Sequence, residues 1–586
     1  MTVTYDDKPW LNCYDDYVPH SLAPYPEWSV PDVLARAVEA APDVPAVVMS
    51  ADIPLLGRIG KATTYAQLQD QANALAAALL DMGLAKGDRV ALFMPNCTAF
   101  VIAWYAVLRA GMVVVGTNPT YPPARLAETL RDSGSKAIIT LSLFYDSVQK
   151  IRGETPLEHV IVTNIKEGFP PLAAFLFTLM KEKKEGHRVE LQPGDHALPD
   201  LLKRYAGRTP TVAVTKDDVA IFQYTGGTTG PSKAAVATQH ALVINGLQQN
   251  AWLSGRKELP PGRVMLAALP FYHSFGMLSV IATSVITRAT MAIVINARDI
   301  DDLLGVVQKY RPMIFPGVPA LYNAINAHPD VVSGKIDLSS IEHCISGSAP
   351  LPQPTKATFE RLSGAKLVEG YGMSEAPTAT HANPLYGENR TGSIGLPLPD
   401  MHCRIVSPEN HEEILPVGEV GELTMTGPHL MLGYHERPTE TANVIYKDAE
   451  GRRWLLTGDI GYMSEDGYFF IVDRKKDMAL IGGFNVYPNQ NDQVLNAHPA
   501  VAEVAVGVIP HPEKVGQEAL KAWVVAKPGM SVTQEDLINF ASERLARYEI
   551  PKRYEFVEEL PRSAVGKILR RQLVQDEIER QGQEQP

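Results

Sequence analysis

The segment Tyr224-Thr225-Gly226-Gly227-Thr228-Thr229-Gly230-Pro231-Ser232-Lys233 constrains this chain more than any other. It follows an apolar run, Val219-Ala220-Ile221-Phe222, that reads as a strand. Glycines expose backbone N–H groups, and the threonines and serine add small hydroxyl donors. Such a loop can wrap a phosphate chain, and a lysine at its close can neutralise charge. It is not the ordinary P-loop, which needs Gly-Lys followed by Ser or Thr. Here Lys233 follows Ser232 and precedes Ala234. On composition alone, a flexible surface loop is an equal reading.

A chain of 586 residues is too long for one ordinary core, so two or more domains are expected. Thr64 with Gln67 makes a capping-box pattern, and Leu68, Ala72, Leu75 and Leu79 then recur at helical spacing. Residues 90–94, 112–115 and 137–140 read as strands, with a helix over 98–110. The alternation resumes at 264–269, 291–295, 302–310 and 313–315. Short buried strands alternating with helices predict α/β layers around largely parallel sheets.

Apolar residues make up 45% and charged residues 20%, as in a soluble globular protein. The net charge of −12 argues against a nucleic-acid partner, which would call for a basic excess. It leaves a small anionic substrate open, because a local pocket can be basic in an acidic protein. Cys13, Cys97, Cys344 and Cys403 are widely separated and show neither metal-ligand spacing nor a disulfide framework. A cytoplasmic location fits these cysteines and an N-terminus that lacks signal-peptide regions. The apolar stretch near 278–295 is broken by Arg288 and several threonines, so no transmembrane helix is expected.

Three further segments have distinct character. Leu172, Phe175, Leu176, Leu179 and Met180 form a helical stripe, followed by Lys181-Glu182-Lys183-Lys184-Glu185. The stripe is too short to span a bilayer but could lie on one; more often such a stripe faces its own domain. Arg474-Lys475-Lys476-Asp477 reads by itself as a solvated turn. The polar tail over 575–586 is expected to fray.

The loop is one of six motifs in a fixed order. Leu269-Pro270-Phe271-Tyr272-His273-Ser274-Phe275-Gly276 is followed by Glu369-Gly370-Tyr371-Gly372-Met373-Ser374-Glu375, then by Thr457-Gly458-Asp459. Asp473-Arg474-Lys475-Lys476-Asp477 and Leu560-Pro561-Arg562-Ser563-Ala564-Val565-Gly566-Lys567 complete the set. From about Thr64 to Arg571 the chain resembles the adenylate-forming (AMP-binding) superfamily of acyl-CoA synthetases, luciferases and peptide-synthetase adenylation domains. Within it the likeness is closest to the bacterial long-chain fatty acid–CoA ligases.

The resemblance implies an α/β fold with a large N-terminal domain of layered sheets and helices over 1–473. That domain would hold the acyl and ATP sites. A hinge at 474–476 and a small mobile α+β C-terminal domain over 477–586 would follow. The implied reaction is ATP-dependent activation of a medium- to long-chain fatty acid to acyl-AMP, then transfer to CoA. ATP, Mg2+ and CoA are the implied cofactor and co-substrates. Peripheral membrane contact and a homodimer are further expectations.

Site residues follow by resemblance. Lys567, His273 and Glu375 would be catalytic, with Lys567 bridging carboxylate and α-phosphate oxygens as a compact point charge. Thr225, Gly226, Gly227, Thr228, Thr229 and Gly230 would hold the β- and γ-phosphates, beside Lys233. Ser374 would donate to the α-phosphate, and Glu375 and Thr225 would hold Mg2+. Tyr371, otherwise an ordinary core aromatic, would stack on adenine, flanked by Gly370 and Gly372. Gly347, Ser348 and Ala349 would also line the nucleotide site. Asp459, on its own a turn aspartate, and Arg474 would bind the ribose. Gly482 and Gly483 would admit pantetheine close to backbone.

His273 alone would read as a satisfied core histidine; the resemblance sets it at the mouth of the acyl pocket. Amino-acid-activating relatives place an aspartate in this region, and none stands here. The sequence departs from the family pattern at Ala234, Gln490 and Glu549. Alternatives with the same motifs are an aryl or other hydrophobic carboxylate–CoA ligase, a fatty acyl–AMP ligase, and a weakly active adenylate-binding paralogue.

Overall fold

A computed structural model describes residues 3–584, except 54–55, 226–231, 254–259, 482–483, 512–517 and 564–565. Two largely parallel sheets form its main body. The first runs Gly433–Tyr434, Ala234–Thr238, Val219–Tyr224, Val113–Gly116, Arg89–Phe93, Ser135–Leu141, His159–Thr163 and His196–Ala197. It is parallel from Val219–Tyr224 to His196–Ala197. The second runs Leu396–Pro397, Thr378–Ala382, Lys366–Met373, His343–Ser346, Ile314–Gly317, Val264–Ala267, Thr290–Ile293, Pro45–Ile53 and Gly57–Thr64. It is parallel from Lys366–Met373 to Pro45–Ile53.

Parallel strands need crossovers, and helices supply them. Thr64 accepts from the Gln67 amide and Gln67 returns a bond to Thr64, closing the capping box of helix Tyr65–Asp81. Its Leu68, Ala72, Leu75 and Leu79 are buried, as their spacing predicts. Helix Thr98–Arg109 is buried along most of its length. One apolar core joins Val90, Leu92 and Val114 of the first sheet to Met265, Met291 and Ile314 of the second. The expected strands all form, with their ends shifted by at most two residues.

The strand–helix alternation does not foretell a third, five-stranded sheet that is antiparallel. It consists of His402–Val406, Gly421–Thr426, Arg453–Met463 and Ile445–Lys447, with Phe469–Arg474 paired to Arg453–Met463. Beyond it, Val501–Pro510, Glu518–Ala526 and Arg553–Phe556 form a small sheet with its own core around Val504, Val506, Leu520 and Val524. Helices Pro488–Asn496, Gln534–Ser542 and Arg570–Glu584 accompany it.

Two expectations need correction. Residues 575–584 do not fray: they continue helix Arg570–Glu584. Glu577 there is 5% exposed and accepts from Lys521 at 2.7 Å, so a polar residue anchors the tail through an ion pair that composition does not reveal. The stripe on helix Pro171–Met180 does not face its own core as a unit. Ala173 is buried and Leu176 and Phe177 pack inward, but Leu172, Phe175, Leu179 and Met180 are 47–70% exposed. Among the described residues, no helix is long and apolar enough to cross a membrane.

Candidate active site

The site gathers at the ends of strands from all three sheets. Strand Val219–Tyr224 turns into Ala234–Thr238 with Tyr224 opposite Ala234, and the Thr225 amide donates to the Lys233 carbonyl at 2.9 Å. The loop thus begins and ends at one point. Gly226, Gly227, Thr228, Thr229 and Gly230 lie outside the described residues. Ala234 is 1% exposed and joins the apolar cluster of Phe222 and Tyr224. Its methyl is therefore part of the core.

The Lys233 ammonium lies 5.3 Å from the centroid of the Tyr434 ring, a cation–π distance. The Tyr434 hydroxyl donates to Glu375 Oε1 at 2.7 Å. Burial pushes the Glu375 carboxyl upward, while the Tyr434 bond and Arg474 pull it down. Tyr434 is a site residue the motifs do not contain: it is 59 positions from Glu375 and reaches it through sheet pairing.

Strand Lys366–Met373 carries the next group. At Gly372 a Cβ would lie 1.4 Å from the Thr378 carbonyl oxygen, so only glycine permits the turn that presents Ser374 and Glu375. Tyr371 donates its hydroxyl to Asp459 Oδ2 at 2.6 Å. Arg474 Nε stands 3.1 Å from Asp459 Oδ1. Asp459 and Arg474 face each other across strands Arg453–Met463 and Phe469–Arg474. The carboxylate raises the Arg474 guanidinium above its ordinary range. Gly458, inside strand Arg453–Met463, has φ of +70°, and its amide donates to Glu422 at 3.0 Å.

Gly347 bonds to the Gly317 carbonyl and is followed by Ser348 at φ of +68° and by Ala349. A Cβ on Gly347 would meet the Phe275 ring at 3.0 Å and the Gly370 carbonyl at 3.6 Å. The ring of Phe275, from the second motif, thus packs against Gly347 close to Gly370 of the third. His273 is half-buried, and its Nδ1 accepts from the Phe275 amide at 3.3 Å. Burial alone pushes this imidazole down to about 4, so it is neutral near pH 7. The following residues form a buried π-helical turn, Met277–Ala282. A neutral imidazole thus leads directly into apolar residues.

Lys567 reaches this cluster from the far end of the chain. Ser563 and Lys567 bond through their backbones at 2.8 Å, and the Arg562 guanidinium donates to the Gly566 carbonyl at 2.8 Å. Gly566 has φ of +75°, and a Cβ there would lie 3.4 Å from Ala320. The lysine side chain opens to the solvent of the cleft. The protein packed around this partly exposed side chain still costs its ammonium hydration and pushes it down to about 8; Arg474 and Lys476 add to the fall, and Asp459 and Asp477 oppose it. Gly482 and Gly483 lie outside the described residues, between paired strands Ala479–Ile481 and Phe484–Val486.

The donors suit a hard cation shared with substrate. Glu375 offers a carboxylate, and Mg2+ is commonly held by one or two carboxylates together with substrate phosphates. Among the described residues, no three His, Cys, Asp or Glu side chains gather to hold a metal alone.

Two family models match this chain. The family model described as AMP-binding enzyme matches residues 34–435, and that described as AMP-binding enzyme C-terminal domain matches 491–567. The long-chain-fatty-acid–CoA ligase of Bacillus subtilis is 38% identical over 576 residues, covering 98% of each chain. A protein of the same name from Escherichia coli is 37% identical, covering 97% of this chain and 98% of its own. The crystal structure of ATP-bound MatB from Rhodopseudomonas palustris superposes with a TM-score of 0.77 at 27% identity, covering 94% of this chain and 99% of its own.

Proposed function

This chain belongs to the AMP-binding enzyme family, and from that premise we propose that it is a long-chain fatty acid–CoA ligase. It converts a fatty acid, ATP and CoA to acyl-CoA, AMP and pyrophosphate. The observation that carries the reading is that Asp459 and Arg474 lie close enough to act electrostatically on both Lys567 and Glu375.

Two anions must approach in the first step. A carboxylate oxygen attacks the α-phosphorus, the bond to pyrophosphate breaks, and acyl-AMP forms. Catalysis is then mostly positioning and charge neutralisation. Asp459, held by Tyr371 and Arg474, accepts from the ribose hydroxyls, and the ring of Tyr371 supplies a face for adenine. Lys567 lies between the incoming carboxylate and the α-phosphate. Ser374 donates to that phosphate, and Thr225 with Lys233 orients the other two. Glu375 with Thr225 would hold Mg2+, which would neutralise phosphate charge when bound.

In the second step the CoA thiol adds to the acyl carbonyl, loses its proton, and AMP leaves. The division into residues 1–473, a hinge at 474–476 and a small domain over 477–586 belongs to this reading. Lys567 serves the first step, and Gly482 and Gly483 serve the second after the small domain turns. Lys567→Ala should cripple pyrophosphate exchange and spare CoA transfer from supplied acyl-AMP; Gly483→Trp should do the reverse. Parallel loss of both half-reactions in either folded variant contradicts the turning domain. The substrate class is tested by CoA-dependent AMP release across acids of increasing length. Fatty acids should far exceed aryl acids and amino acids, and comparable activity with a free amino acid contradicts the reading.

Peripheral membrane contact is favoured by one observation, the exposure of Leu172, Phe175, Leu179 and Met180 beside Lys181, Lys183 and Lys184. Apolar side chains with flanking lysines suit an anionic bilayer surface. Phe175→Ser with Leu179→Ser should lower co-sedimentation with phosphatidylserine-containing vesicles at unchanged melting temperature. Unchanged co-sedimentation rules this face out.

A further inference from the structure

Helix Pro488–Asn496 begins without a cap of its own: the Tyr487 side chain makes no capping bond. The first amides of a helix need acceptors, and an anion there is favoured by the helix dipole. Here the acceptor comes from across the hinge. Asp473, at the end of strand Phe469–Arg474, is fully buried. Its Oδ2 accepts from the Asn489 amide at 2.8 Å, and its Oδ1 accepts from the Asn489 side chain at 2.9 Å. Oδ1 also accepts from the Arg474 amide at 2.7 Å.

The small unit meets this carboxylate with a cation as well. Arg570 Nη1 lies 3.8 Å from Asp473 Oδ1, and its Nη2 donates to Asn489 Oδ1 and to Asp492 Oδ2. Asp492 is tied in turn to the Val506 amide of the small sheet. Arg570 stands three residues beyond Lys567, at the start of helix Arg570–Glu584. The network therefore links strand Phe469–Arg474, on one side of residues 474–476, to the helix that follows the lysine on the other.

We propose that Asp473 is a positioning residue whose bonds to Asn489 and Arg570 latch the small domain in the orientation that places Lys567 in the cleft. This rests on the turning-domain reading above. Hydrogen bonds tolerate shifts of only a few tenths of an ångström, so a turn that withdraws Lys567 must break the contacts made by Asn489 and Arg570. The latch would then set the ratio between the orientation for acyl-AMP formation and that for CoA transfer. Asp473 touches no substrate in this scheme and acts only through Asn489 and Arg570.

The test uses the full-length enzyme with one fluorescent label on each domain. Energy transfer is measured with ATP and fatty acid, and again with acyl-AMP and CoA; both half-reactions are assayed in parallel. Asp473→Ala should reduce the population with Lys567 docked. It should also lower pyrophosphate exchange relative to CoA transfer by about tenfold or more, the scale of lost hydrogen bonds to a charged group. Asn489→Ala, which keeps the backbone amide, should shift both readouts the same way by less, and it stands in if Asp473→Ala does not fold. Two wild-type separations with unchanged populations and an unchanged ratio in the variants overturn the latch. A single wild-type separation under all conditions instead overturns the turning domain itself.

Discussion

Tyr434 donates its hydroxyl to Glu375 at 2.7 Å while its ring lies under the Lys233 ammonium, 5.3 Å from its centroid. One side chain thereby fixes the carboxylate proposed for Mg2+ relative to the lysine proposed for the phosphates. Tyr434→Phe keeps the ring and removes the bond. We expect the Mg2+ concentration needed for half-maximal pyrophosphate exchange to rise about tenfold, the scale of one charge-assisted hydrogen bond. An unchanged Mg2+ titration would mean the hydroxyl does not orient Glu375.

Gly372 and Gly451 make a contrasting pair. A Cβ at Gly372 would sit 1.4 Å from a backbone oxygen, whereas Gly451, at φ of +78°, has nothing within 4 Å. Gly372→Ala must move the turn that carries Ser374 and Glu375 and should cost about 3 kcal/mol or more with loss of ATP binding. Gly451→Ala should cost about 1 kcal/mol from backbone strain alone and leave ATP binding intact. Chemical denaturation and nucleotide titration of both variants check this, and equal costs would contradict it.

The position of Lys567 predicts a pH dependence with a definite sign. Its ammonium is lowered to about 8, so the charged form prevails below that pH and is lost above it. The kcat/KM for acyl-AMP formation reports the free enzyme and should fall as pH rises through about 8. Lys567→Arg keeps its charge throughout and should remove that fall, even though the shape of guanidinium lowers the rate. A fall that persists unchanged in Lys567→Arg belongs to another group.

Ala234 departs from the glycine usual after the loop lysine, yet its methyl is buried with Phe222 and Tyr224. Ala234→Gly should lose about 1 kcal/mol of stability through backbone freedom and raise no half-reaction rate. Faster pyrophosphate exchange in this variant would show that the methyl crowds the phosphates after all.

Local signals made part of this molecule legible. The Thr64–Gln67 cap and the stripe after it announce a helix, and the apolar run before Thr225 announces a strand, because both depend on neighbours in sequence. The motif residues Tyr371, Asp459 and Arg474, far apart in sequence, come together around the Asp459 carboxylate. Tyr434 and Asp473 could not be read this way. Their partners, Glu375 and Asn489, are brought to them by sheet pairing and by the docking of a separate unit. The order of the tail has the same kind of cause: Glu577 is anchored by Lys521, 56 positions away. Asn491 is likewise tied to a distant partner: its side chain donates to the Glu549 carbonyl inside the small unit.

In the proposed reaction a fatty acid's carboxylate oxygen attacks the α-phosphorus of ATP. Supplying the acid with both carboxylate oxygens as oxygen-18, with unlabelled ATP, Mg2+ and CoA, tests this directly by mass spectrometry of the products. Attack at that phosphorus leaves one labelled oxygen on the AMP released when CoA takes the acyl group, and pyrophosphate stays unlabelled. Unlabelled AMP, or label in phosphate or pyrophosphate, would contradict the account.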